Sequence, residues 1–192
     1  SGISDYDVFW DSLKNNTTAS NNTALGRSAL GANTTGTQNV AVGSFALDAS
    51  NTAVDCVAIG YLALSAQTDS GSGTPNDNTA IGRSAGADVT SGFQNTFVAS
   101  RAGDACPTGN SNICIGHGSD VDTGGRVRAV ALGQGVGTSP NNESFRVVGE
   151  GGVFNTGNTS NWNTTSDERI KKNIVDSTVG LAEINKIKVR NF

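Results

Sequence analysis

The sequence predicts an all-β fold, a parallel β-solenoid built from coils of 17 residues. A short pattern of the type Asn-x-Ala-Ile-Gly recurs, and successive copies close 17 residues apart except at one gap of 22. Each copy is a short aliphatic run bounded by Gly, Asn or Thr, which is typical of strands and turns. With 25 Gly, 35% hydrophobic and 16% charged residues in 192, the chain has too little bulk for an ordinary globular α/β domain. The closing positions are Gly26, Gly43, Gly60, Gly82, Ala99, Gly116 and Gly133.

Each position of the repeat has a constant character, and this defines the elements of one coil. The residue before the closing position is always a bulky aliphatic, the one before that is mostly Ala, and the one after is mostly polar. A second element, such as Ala29-Leu30 or Ala46-Leu47, follows in each coil. A unit of this length holds two short strands and two turns, and stacked units rise about 4.8 Å per coil. The sequence therefore predicts two strands per coil, with the longer gap explained by a loop at 70–75.

The Ala at the inner position predicts a thin coil. It leaves little hydrophobic volume between the walls of the coil, so one chain has little core of its own. Three such coils can share a hydrophobic core along a common axis. We therefore expect a homotrimer.

The flanks of the repeat differ from it in composition. Residues 5–13 alternate acids with aromatics and lie outside the repeat pattern. Short strands around a glycine turn are expected at 145–154, and Leu181, Ile184 and Ile187 recur every three residues, as on one face of a helix. The predicted regions are an N-terminal cap or joint to an upstream shaft (1–20), the solenoid (21–138), a β-rich neck (139–165) and the start of an α-helical domain (166–192).

A serine and a lysine near the C-terminus form a candidate catalytic pair. In the segment 166–174, Ser166 precedes Lys171 by five residues, so the two side chains can meet if the backbone turns between them. A lysine whose pKa is lowered by burial or nearby positive charge can act as general base on a serine hydroxyl. The alternative is an ordinary helix N-cap formed by Ser166 or Asp167.

This segment, together with the short strands and Trp162 before it, resembles the opening of the intramolecular chaperone domain of endosialidase-type phage tailspikes and tail fibres. The positions of Ser166, Asp167, Arg169 and Lys171 match. The resemblance implies that the domain drives trimer folding and then cuts itself off after Thr165. Ser166 would attack the Thr165 carbonyl with assistance from Lys171, and Asp167 and Arg169 would support them.

The repeat itself resembles the heads of trimeric autotransporter adhesins, which are left-handed parallel β-rolls of three chains. Together the two resemblances imply the distal part of a homotrimeric viral fibre that is made in the host cytoplasm and joined to an upstream fibre or virion protein. Its expected role is attachment to a host receptor, most simply a glycan. The alternatives are the head of a trimeric surface adhesin and a polysaccharide-degrading tailspike.

The remaining expectations concern ligands. Tyr61, Arg83 and Phe93, with the 70–75 loop, are the candidate receptor-binding residues because exposed aromatic rings stack on sugars. Neither a cofactor site, a turnover enzyme nor a membrane span is expected, and the net charge of −4 disfavours nucleic acid.

The odd number of cysteines predicts free thiols rather than a disulfide framework. Cys114 stands at the inner Ala position, as a small buried residue would. His117, at the polar outer position, is not expected to bind a metal.

Overall fold

The chain forms one parallel β-sheet whose strands stack in chain order. The computed structural model describes residues 9–68, 76–121, 125–136 and 145–147. Each strand pairs with the next one in parallel, and the sheet order follows the sequence. This topology is a β-solenoid, as the repeat predicts. The strands are β1 (Thr23–Leu25), β2 (Val40–Val42), β3 (Val57–Ile59), β4 (Thr79–Ile81), β5 (Thr96–Val98), β6 (Ile113–Ile115), β7 (Val130–Leu132) and β8 (Phe145–Val147).

The strand register confirms the 17-residue coil. Ala24 pairs with Ala41, which pairs with Ala58, so equivalent positions of the repeat lie side by side. At the longer gap Ala58 pairs with Ala80, and the five extra residues do not disturb the register. The extra residues lie between Thr68 and Asn76. The predicted loop at 70–75 falls in this segment, which is outside the described residues.

Each coil contains one strand, not the two that the sequence predicts. The second element adopts left-handed backbone angles at its Leu, with φ of 52° at Leu30, 51° at Leu47 and 51° at Leu64. A residue with positive φ cannot continue an extended strand. The element is therefore a turn, held to the next coil by single bonds such as the Leu30 N–H donating to the Ala46 carbonyl at 3.0 Å.

The core is thin and consists of stacked small and aliphatic side chains. The central residue of each strand from β2 to β7 points inward and is buried, and it is Ala in four of the six. The buried Leu30, Leu47 and Leu64 fill the opposite side of the first coils. The prediction that Ala occupies the inner position is confirmed, so little apolar volume is enclosed by one chain.

One large side chain compensates for two missing ones in this core. Where other coils carry the buried Leu, the later coils carry Gly86 and Gly103, whose φ values of 58° and 65° are also left-handed. Phe97, which replaces the inner Ala in β5, is fully buried. A Cβ added at Gly103 would collide with the Phe97 ring, and one at Gly86 would contact it closely. The ring therefore occupies the space of the absent Leu side chains.

A ladder of buried asparagines binds each coil to the next. The backbone N–H of Asn95 donates to the side-chain oxygen of Asn78 at 2.9 Å, and Asn112 donates in the same way to Asn95. The Asn95 amide also donates from Nδ2 to the Gly109 carbonyl at 2.8 Å. These bonds satisfy backbone groups that would otherwise be buried without a partner. The ladder is the structural reason for the recurring Asn.

The coil that begins at Cys56 lacks this Asn and uses other amides. Cys56 still donates its N–H to the oxygen of Asn39 at 3.0 Å. On the far side, Gln67 accepts a bond from Asn78 Nδ2 at 2.6 Å, and Asn76 accepts one from the Val54 N–H at 3.2 Å. Both side chains are buried and flank the five-residue insertion. Gln67 and Asn76, on either side of the insertion, therefore take the place of the missing Asn.

The described part of the N-terminal segment follows the coil register, although the sequence pattern placed it outside the repeat. Leu13 has the left-handed φ of the equivalent Leu30, 51° against 52°. Its N–H donates to the Ala29 carbonyl at 3.1 Å, and Ser28 donates to the Trp10 carbonyl at 2.8 Å. Residues 9–20 therefore add a partial coil before β1. Its pattern is hidden because Phe9 and Trp10 stand where later coils have Gly and a polar residue.

At the other end, β8 continues the stack on β7 with Phe145 opposite Val130. This strand is the only part of the predicted neck among the described residues. The second predicted strand, Trp162, the 166–174 segment and the predicted helix with Leu181 all lie outside them.

Candidate functional site

One side of the sheet is aliphatic and uncovered in the single chain. Because side chains alternate along a strand, the first and third residues of each strand point away from the core. In β1–β7, five of the large aliphatic side chains at these positions are more than a third exposed, up to 42% for Ile115. We call this surface the aliphatic face; none of its residues is charged. It consists of Thr23, Leu25, Val40, Val42, Val57, Ile59, Thr79, Ile81, Thr96, Val98, Ile113, Ile115, Val130 and Leu132.

The aliphatic face is long and narrow. A three-residue strand is about 10 Å wide, and seven strands span about 29 Å along the stack. Isolated exposed apolar residues are common on proteins, but contiguous apolar surfaces of this kind mark interaction sites. The geometry therefore offers an elongated hydrophobic strip to a partner.

A second surface combines aromatic rings with an arginine. The Arg27 guanidinium lies 5.1 Å from the centre of the Trp10 ring and 5.3 Å from that of Phe45. The Phe45 ring in turn meets the edge of Tyr61, with 6.3 Å between centroids and 80° between planes. We call these four residues the aromatic cluster. Trp10 is 53% exposed and Tyr61 is 48% exposed, so the cluster presents ring surface to solvent.

The three predicted receptor-binding residues do not form one group. Tyr61 belongs to the aromatic cluster, and Arg83 occupies the equivalent exposed position one coil later, where Ser84 donates its N–H to the Tyr61 carbonyl at 2.8 Å. Phe93 lies in a different column of the solenoid, two residues before the buried Asn95, and is half-buried. Tyr61 and Arg83 therefore lie in the same column on successive coils, whereas Phe93 lies in another column.

Three members of the aromatic cluster, Trp10, Arg27 and Phe45, are not among the residues predicted from the sequence. The signal was present, because positions 10, 27, 44 and 61 are separated by 17 residues. Trp10 and Arg27 thus stand in the column of Tyr61, and Phe45 follows Ser44, the third member of that column.

The three cysteines are free, as predicted, and all three are buried, as was expected for Cys114. Burial is the main cause that raises the pKa of the Cys56 thiol to about 12 and that of Cys106 to about 11. The pKa of Cys114 is raised as well, again chiefly by burial. A thiol that keeps its proton is a poor nucleophile and metal ligand. These residues therefore serve as small core side chains.

The buried thiols predict a loss of stability in alkaline solution. An unfolded thiol ionises near its ordinary pKa of 9.0, whereas folded Cys56 keeps its proton to about 12. Above pH 9 the folded state thus binds more protons, and the free energy of unfolding falls as pH rises, by up to about 1.4 kcal/mol per pH unit for each thiol. Urea unfolding at pH 8 and pH 10 measures this. A variant with all three cysteines changed to Ala is the control, and an equal loss in both proteins would contradict the prediction.

The described residues form neither a metal site nor a membrane-spanning helix, and they do not include the predicted self-cleavage residues. There, no three His, Cys, Asp or Glu side chains form a metal-binding group, and the His117 side chain is exposed. The same residues contain no helix long and apolar enough to cross a lipid bilayer. Ser166, Lys171, Thr165, Asp167 and Arg169 lie outside the described residues, so self-cleavage stays a prediction.

Comparisons with protein-family models, with curated proteins and with solved structures found no match. The features that bear on function are therefore the two surfaces of this solenoid and the motifs of the sequence.

Proposed function

We propose that this chain is a section of a homotrimeric viral fibre that attaches the particle to a host cell. In this proposal three copies pack their aliphatic faces around a common axis. The observation that carries it is the uncharged face of β1–β7, which runs along the stack beside a core too thin to bury it.

The narrowness of the face favours three chains over two. Its area is about 300 Å², from a width of about 10 Å and a length of about 29 Å. A stable pairwise interface usually buries about 800 Å² on each partner. Around a three-fold axis each chain contacts two neighbours, and the three strips enclose one shared apolar core.

Attachment is the role that such a trimer performs best. A solenoid stacked by one ladder of backbone and Asn bonds is a stiff spacer that displays side chains at fixed intervals. The 166–174 segment fits the same proposal as the start of a chaperone that assembles the three chains and is released after Thr165. A surface adhesin head uses the same architecture, and the repeat alone favours it equally; only the Ser166 segment separates the two.

The proposal is tested by measuring the native mass and the denatured mass of the same preparation. Sedimentation equilibrium of the native protein is expected to give three times the mass that the same chain has after denaturation. The denatured mass is expected to be that of a chain that ends at Thr165, whereas Ser166→Ala is expected to keep the chain intact. A monomeric native chain would contradict the proposal. A trimer that is never cleaved would favour the adhesin head over the fibre.

A further inference from the structure

We infer that the aromatic cluster binds an acidic saccharide, a sugar chain that carries carboxylate or sulfate groups. The inference rests on the proposed attachment function and assigns a ligand class and residues to it. The residues that support it are Arg27, at the centre of the cluster, and the aromatic rings around it.

Arg27 is held in place without using its hydrogen-bonding capacity. The Trp10 ring of the preceding coil and the Phe45 ring of the following coil both attract its guanidinium, at 5.1 and 5.3 Å. Two rings on neighbouring coils restrict the rotamers of a side chain that is otherwise flexible. The binding group is therefore positioned before any ligand arrives.

The guanidinium donors of Arg27 are unpaired among the described residues: no carboxylate or carbonyl there accepts a side-chain bond from it. Arg101 shows the contrast, because its Nε donates to Asp104 at 2.8 Å. Asp11, the acid within residues 9–20, is paired with Lys14 at 3.3 Å. An arginine with free donors matches the oxygens of a carboxylate or sulfate in a bidentate manner.

The exposed aromatic rings of the cluster provide a surface on which a sugar ring can pack. Trp10 and Tyr61 are about half exposed, and the apolar C–H face of a sugar ring packs on such surfaces. Trp10 and Tyr61 are three coils apart, which is about 14 Å along the stack. A ligand that contacts both rings and Arg27 is therefore extended along the solenoid.

Fluorescence of Trp10 provides the test. The chain has two tryptophans, so Trp162→Phe leaves Trp10 as the only reporter. This protein is titrated with hyaluronan hexasaccharide for carboxylate, heparin hexasaccharide for sulfate and maltohexaose as the neutral sugar. We expect an acidic sugar to change the Trp10 emission and maltohexaose not to. Binding should weaken as salt is added.

Variants locate the site. Arg27→Ala is expected to weaken binding about tenfold or more, because it removes charge-assisted bonds, and Tyr61→Ala should weaken it by removing a stacking surface. Arg101→Ala removes the same charge away from the cluster and should bind as the parent does. An unchanged urea midpoint in each variant shows that the fold is retained.

Three results would overturn the inference: no response to either acidic sugar, an equal response to maltohexaose, or full affinity in Arg27→Ala. Sedimentation of the same samples separates the two proposals. A trimer that binds no acidic sugar removes this inference alone, whereas a monomer removes the proposed function.

Discussion

Ile81→Asp is expected to convert the trimer into monomers. Ile81 lies at the centre of the aliphatic face, where it is 40% exposed in the single chain. Three copies of the variant would bring three carboxylates to one axis, and burying an ion without a partner costs several kcal/mol. Like charges at short distance add to this cost. Sedimentation equilibrium at neutral pH measures the change.

Two controls make this result specific. Gln94→Asp introduces the same charge at an exposed position where the two preceding coils already carry Asp55 and Asp77, so it should leave the trimer intact. Acidifying Ile81→Asp to about pH 3 protonates most of the new side chains and should restore part of the assembly. If Ile81→Asp sediments like the unaltered chain at neutral pH, the aliphatic face is not the interface.

Phe97→Ala is expected to lower the free energy of unfolding by about 3–5 kcal/mol. Phe97 is the largest fully buried side chain, and its ring fills the space left by two glycines. Removing the ring leaves a cavity that the rigid stack of backbone bonds prevents from collapsing. Urea unfolding at one fixed protein concentration measures the loss, since the stability of an oligomer depends on concentration.

A second substitution identifies the cause of this loss. Gly103 has φ of 65°, close to that of the buried Leu residues in earlier coils, and the three atoms nearest to a Cβ there all belong to Phe97. Gly103→Leu alone should therefore destabilise the protein. Combined with Phe97→Ala it restores the pattern of the earlier coils and should recover part of the lost stability. If the two effects simply add, the ring does not replace the missing Leu.

Much of the solenoid is predictable from the sequence because spacing determines register. Once Gly26, Gly43 and Gly60 are aligned, the parallel pairing and the insertion site follow. The alternation of Ala24 with Leu25 then tells which side chain points inward.

Contacts between coils are harder to predict. Asn95 recurs visibly in the pattern, but its bridge to Gly109 depends on the direction of an amide that the spacing does not specify. Phe97 and Gly103 look like unrelated exceptions until stacking brings them together. The left-handed Leu47 is a further case, because only its tertiary packing outweighs the steric cost of that conformation.

Of the two candidate surfaces, the aliphatic face can be predicted from the sequence and the aromatic cluster cannot. The uncovered position of Ile81 follows from strand alternation and is foreseeable. The aromatic cluster is not, because Trp10 lies in a segment that lacks the Gly and Ala of the repeat. Its place in the Arg27 column emerges only when backbone bonds extend the stack to residues 9–20.

The most direct measurement is the separation of Ile81 side chains between copies. A spin label on Ile81→Cys, in a background with Cys56, Cys106 and Cys114 changed to Ala, is compared with the same label on Asn51→Cys, an exposed position outside the aliphatic face. The account predicts strong dipolar broadening at position 81, because three labels meet at the axis, and none at position 51. A sharp spectrum at 81, or broadening only at 51, would contradict assembly through the aliphatic face.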